Sequence, residues 1–162
     1  MYRARNILIS PIRAVLNDLE DPTVDFILCS TETAVSAARR NNVLLLRFLD
    51  TEEENSYLCF RQFDAERIRS FLSRADANED LFVCCDSGES RSPAIAAAIR
   101  LAVGQTDRSI WESTDYHPNL LVFGKMCRTL GVDITEAGIR ERRITNENAF
   151  HNAVINGKAD AL

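Results

Sequence analysis

Residues 81–95 read LFVCCDSGESRSPAI, and this stretch decides how the rest of the chain is read. Leu81-Phe82-Val83 is an apolar run of strand length that delivers two cysteines, Cys84 and Cys85. Asp86-Ser87-Gly88-Glu89-Ser90 then supplies turn chemistry, and Arg91-Ser92-Pro93 opens an alanine-rich stretch of helical character. The order is strand, tight loop, helix, with a thiol at one end of the loop and a guanidinium at the other. None of Asp86, Ser87, Gly88, Glu89, Ser90 and Arg91 is proline, so each brings a backbone N–H. Curled onto a helix N-terminus, those amides form an anion site. Gly88 permits the backbone angles of such a curl. Arg91 adds a planar fork that grips two oxygens of a phosphate. Pro93 falls in the first helical turn, where a missing N–H costs nothing. The positive surroundings favour the thiolate of Cys85, the form that acts as a nucleophile.

The flanking pattern extends the unit in both directions. Ile7-Leu8-Ile9 reads as a short strand, and Ile12, Val15, Leu16 and Leu19 have helical spacing up to the break at Asp21-Pro22. Phe26 to Cys29 is a second, buried strand. Thr31 to Arg40 has the cap and composition of a helix, and Val43 to Phe48 is a third strand. Leu49 to Asn55 is a polar, acidic loop, and Asp64 to Arg74 an amphipathic helix with Ile68, Phe71 and Leu72 inward. Leu81 to Cys84 is the fourth strand and Ser92 to Val103 the helix after the loop. The rest reads as helical: a short segment near Arg108–Trp111, then Asn119 to Leu130, then one or two pieces within Ile134 to Ile155. Strands alternating with helices imply a three-layer α/β/α domain around a mostly parallel sheet of about four to five strands. Ligands in such sheets sit beyond the carboxyl ends of the strands, where Cys85 falls.

Composition bounds the function. A chain of 162 residues holds one domain, here read as 1–156 with 157–162 as a frayed tail. The net charge of -5 favours neither nucleic acid nor an anionic membrane surface, and no apolar stretch approaches a membrane span. Five cysteines at irregular spacing, with no N-terminal apolar segment, argue for reduced thiols in the cytoplasm. No C-x2-C or His-rich spacing suggests a metal, and no cofactor is called for. His117 and His151 stand isolated. The oligomeric state is not legible in the sequence.

The loop CDSGESRSPAI resembles the signature of the protein tyrosine phosphatase superfamily, in the C-x-x-G-x-S-R-S-P-A form of small, dual-specificity-like bacterial members. Arg47-Phe48-Leu49-Asp50-Thr51 resembles the F-D-D stretch of those members, with Asp50 thirty-five positions before Cys85. Phe60 to Phe71 resembles their next helix, and His117-Pro118-Asn119 their P-N segment. The resemblance implies a phosphotyrosine-phosphatase-like fold and hydrolysis of a phosphorylated protein or a small phosphate monoester through a cysteinyl-phosphate. It implies Cys85 as nucleophile, Arg91 and the 86–91 amides as phosphate ligands, Asp50 as general acid and Ser92 as a donor to the sulfur. Asp64, Glu52, Glu53 and Glu54 rival Asp50, although the acidic run reads more simply as a solvated loop. Three positions depart from the pattern: Cys84 stands where the family usually has His, Leu49 replaces the first acid of F-D-D, and Asp64 occupies a helix position often filled by His. Two other readings stay open, a rhodanese-like sulfurtransferase and a phosphate-binding pseudophosphatase without turnover.

Overall fold

The computed structural model describes residues 2, 5–31, 40–74 and 78–157. Four strands form one all-parallel sheet: β1 (Asn6–Pro11), β2 (Val24–Cys29), β3 (Val43–Leu46) and β4 (Asp80–Cys85), in the order β1-β4-β2-β3. The interleaved helices are α1 (Ile12–Val15), α2 (Gln62–Leu72), α3 (Arg91–Ala102), α4 (Arg108–Trp111), α5 (Leu120–Leu130) and α6 (Glu136–Ile155). The sheet lies between helical layers, as the alternating pattern requires. The period-2 rule assigns the faces. Ile27, Cys29, Val83 and Cys85 point to the core built with α2, α3 and α5, while Phe26, Leu28 and Cys84 point to a smaller core under Ile12, Val15 and Leu19.

The β4 strand is central, hydrogen-bonded to β1 on one side and β2 on the other. Its register sets Cys85 level with Pro11 and Cys29 at the carboxyl edge of the sheet. Helix α3 runs back across the same face and is buried from Arg91 to Ile99. Ala94, Ala96, Ala97 and Ala98 supply the small side chains that close packing on the sheet and on α5 requires.

Two boundaries differ from the sequence reading. The helix expected from Ile12 to Leu19 ends at Val15. Beyond it, Asp18 and Asp21 donate backbone bonds three residues back, to Val15 and Asp18, so tight turns replace the helical ladder. Ile12, Val15 and Leu19 stay buried in those turns, which is why the apolar spacing looked helical. The third strand stops at Leu46, and Phe48 is buried beyond the sheet. Residues 134–155 hold one helix, α6, capped by the Thr135 hydroxyl, which accepts from the Gly138 N–H at 3.0 Å. The helix expected at Thr31 to Arg40 lies almost wholly outside the described residues, as does the tail from residue 158. No helix among the described residues is long and apolar enough to cross a membrane.

Burial has a consequence for pH. It pushes the Cys84 and Cys127 thiols up to about 12, with the charge of Cys85 adding to the effect on Cys84, and it raises Cys29 as well. An unfolded thiol titrates near about 8.5. Their stabilisation is therefore full below that pH and lost as pH rises toward the folded values. Each such thiol contributes a fall of about 1.4 kcal/mol per pH unit in that window. Thermal melts between pH 9 and 11 should show a steep drop for the native chain and a shallower one for Cys84→Ala. Equal slopes would mean that Cys84 is not buried as described.

Candidate active site

The loop from Asp86 to Ser90 turns the chain from the end of β4 into the start of α3. Its shape is set at three points. Gly88 has φ 77, in the left-handed region, and a Cβ there would stand 2.8 Å from the Pro11 nitrogen. Only glycine meets both demands, the backbone angle and the approach to β1. Segment 117–119 closes the outer side: the His117 N–H donates to the Glu89 carbonyl at 2.7 Å and the Asn119 N–H to the Ser90 carbonyl at 3.2 Å. Arg91 ties the loop's inner end, because Nη2 donates to Asp86 Oδ2 at 2.6 Å and Nη1 to the Phe48 carbonyl at 3.0 Å. The second Asp86 oxygen accepts from the Ser30 hydroxyl at 2.8 Å, so the carboxylate links Arg91 to the end of β2.

Within this frame, Cys85 is buried and its Sγ lies 3.1 Å from the Ser92 hydroxyl. Cys84 is buried on the opposite face of the sheet, which excludes it from the loop. Among the described residues, none of the N–H groups of Asp86 to Ser90 donates to a protein acceptor. The Arg91 Nε is also buried without a partner. Burial works to lower the Arg91 pKa; the Asp86 hydrogen bond and the charges of Cys85, Asp86 and Cys29 outweigh it and raise the value. A guanidinium has five N–H donors, and Asp86 and Phe48 take one each. An unsatisfied buried donor such as Arg91 Nε costs about 1–3 kcal/mol, so its lack of a protein partner calls for an explanation.

Asp50 is brought to the same loop. Its Oδ1 accepts from the Ser90 hydroxyl at 2.8 Å and from Asn119 Nδ2 at 2.9 Å. The Asn119 amide has its oxygen committed to capping α5 through the Val122 N–H at 3.0 Å, which leaves its nitrogen to face Asp50. The rivals of Asp50 have other tasks. Asp64 accepts from the Arg61 N–H at 3.0 Å and completes the cap of α2. Glu52 accepts from the Leu120 N–H at 2.8 Å and pairs with Arg143; Glu54 pairs with Lys125 at 2.5 Å, and that hydrogen bond holds its pKa below the usual carboxylate range. The run is exposed, as the solvated-loop reading expects, and Glu52 and Glu54 in addition tie the segment to α5 and α6.

The structure therefore brings together Cys85, Arg91, Ser92, the 86–90 loop and Asp50. Sequence reasoning named Asn119 only as part of the P-N segment and the start of a helix, and missed Ser30 and the Phe48 carbonyl. Asn119 had a readable signal, an asparagine after proline and before an apolar run, which is the pattern of a helix N-cap. Its second bond to Asp50, like the Ser30–Asp86 contact, joins residues far apart in sequence and leaves no local trace. No protein-family model, curated protein or solved structure matches this chain.

Replacing Gly88 by Ala should cost about 1–3 kcal/mol, from the left-handed backbone and the displaced loop. Tungstate binding, followed by calorimetry, should weaken with the melting temperature. A variant that melts and binds as the native chain does would contradict the close approach to Pro11.

Proposed function

We propose that this chain is a phosphate monoester hydrolase of the cysteine-dependent tyrosine phosphatase type, acting on a phosphorylated protein or a small phosphate monoester. The observation that carries the reading is that a buried thiol, loop amides without protein acceptors and the unpaired Nε of Arg91 lie together at the carboxyl end of the central strand. That set matches a tetrahedral oxyanion in charge and donor number.

In the proposed reaction the phosphate oxygens take the loop amides and the free N–H groups of Arg91. The Cys85 thiolate attacks phosphorus in line, the S–P bond forms and the ester P–O bond breaks. The leaving oxygen takes a proton from the Asp50 carboxyl. Water then attacks the cysteinyl-phosphate, Asp50 recovers the proton, and the S–P bond breaks to give inorganic phosphate. Ser92 donates a hydrogen bond to the sulfur each time it carries negative charge. Charge developing on the phosphoryl oxygens is met by dipoles already in place, the largest contribution an enzyme commonly makes. The anchored Oδ1 of Asp50 leaves its second oxygen for the proton. Cys84, in place of the family's usual histidine, has its side chain on the opposite face of the sheet from Cys85. Reduced thiols of this kind fit a cytoplasmic setting.

An aryl phosphate assay with and without vanadate tests the reading. Turnover that vanadate abolishes supports it; a protein that binds vanadate and turns nothing over is a pseudophosphatase, and transfer of sulfur from thiosulfate would make it a sulfurtransferase. Arg91→Lys should lose about 2–4 kcal/mol of transition-state stabilisation, or about 30- to 1,000-fold in kcat/KM. A loss under about threefold would mean that Arg91 does not meet the phosphate. Asp50→Asn should slow alkyl phosphates by about 10²-fold or more and leave activated aryl phosphates nearly unchanged, since only the former need a proton. A uniform loss across leaving groups would remove Asp50 from the acid role.

A further inference from the structure

A cavity of about 620 Å³ opens beside the loop, between the end of β1, residues 87–89, segment 114–117 and α6. It shares Ser87, Gly88 and Glu89 with the anion-binding loop. Its charged lining residues are Glu89 and Asp115, and neither carboxylate takes part in an ion pair among the described residues. No lysine or arginine lines it. Its apolar lining comes from Ile9 and Pro11 on one wall and from the aromatic rings of Tyr116 and Phe150 on the other.

That wall is built in advance. Asn146 of α6 is fully buried, and its Nδ2 donates to the carbonyls of Tyr116 at 2.9 Å, Trp111 at 3.2 Å and Ser113 at 3.2 Å. Phe150 sits edge-on to His117, with ring centroids 6.2 Å apart. Little ordering is left for a ligand to impose.

We infer that this cavity is a second substrate subsite that takes an arginine side chain next to the phosphorylated residue. A guanidinium stacks on aromatic faces and forks onto carboxylates, and an ammonium does the first less well and the second not at all. The shared loop residues limit the distance. In an extended peptide, at about 3.3 Å per residue, the arginine lies within about three positions of the phosphoresidue. This deepens the hydrolase reading and rests on the loop holding the phosphate.

The test uses the full chain carrying Cys85→Ser and fluorescent phosphotyrosine peptides of neutral sequence, with arginine scanned across three positions on each side. Anisotropy should show one position where arginine tightens Kd by about tenfold and lysine by less. Asp115→Asn and Phe150→Leu should each reduce that preference below about threefold, while aryl phosphate turnover in the otherwise native chain stays unchanged. A flat scan, or a preference that survives both substitutions, overturns the subsite. Aryl phosphate turnover by the native chain is read separately. Its absence, with the arginine preference intact, retires the hydrolase reading and keeps the subsite as a binding site. Failure of any phosphopeptide to bind overturns the subsite; the hydrolase reading falls with it only if aryl phosphate turnover is absent too.

Discussion

The site depends on how Arg91 is held. As the first residue of α3 it would otherwise be a cation buried in a protein core, which is costly without partners. Asp86 and the Phe48 carbonyl provide two of them, and they come from different parts of the chain. The Asp86 contact spans the loop and fixes its width. The Phe48 contact fastens the loop to the chain leaving β3, which carries Asp50 two residues later. One guanidinium thus sets the shape of the proposed anion cradle and the approach of the proposed acid. Its remaining N–H groups, with the loop amides, are what an oxyanion would meet.

Around that centre, each contact restricts the loop from a different side. Pro11 presses on Gly88 from β1, Ser30 holds Asp86 from β2, and the turn before α5 binds Glu89 and Ser90. Such a loop loses little entropy when an anion arrives, because its geometry is already fixed. The same rigidity extends to α6. Arg143 pairs with Glu52, Arg142 with Asp107 at 2.6 Å, and Asn146 pins segment 111–116. A helix with only Ile139 and Asn146 buried is held by its polar contacts as much as by apolar area.

The fold was legible because its signals are local. A parallel strand buried on both faces reads as a continuous apolar run, and β2, β3 and β4 all do. The Cys85–Ser92 loop was legible for the same reason: thiol, glycine, arginine and helix start fall within eight residues. Helix α1 was overread because buried turn residues at 12, 15 and 19 mimic helical spacing. The acidic run was read as solvated and is exposed, but its ion pairs with Lys125 and Arg143, 71 and 91 positions away, leave no local trace. Cavities formed by four separated segments, such as the one lined by Tyr116 and Phe150, have no signature in sequence at all.

The central claim is that Cys85 is the atom to which the phosphoryl group is transferred. Acid quench of the native chain during turnover of an aryl phosphate, followed by peptide mass analysis, examines it directly. The account predicts one added phosphoryl group on the peptide containing Cys85, absent from the Cys85→Ser protein and from samples treated with vanadate. Turnover with no adduct on Cys85, or undiminished turnover by Cys85→Ser, would contradict it.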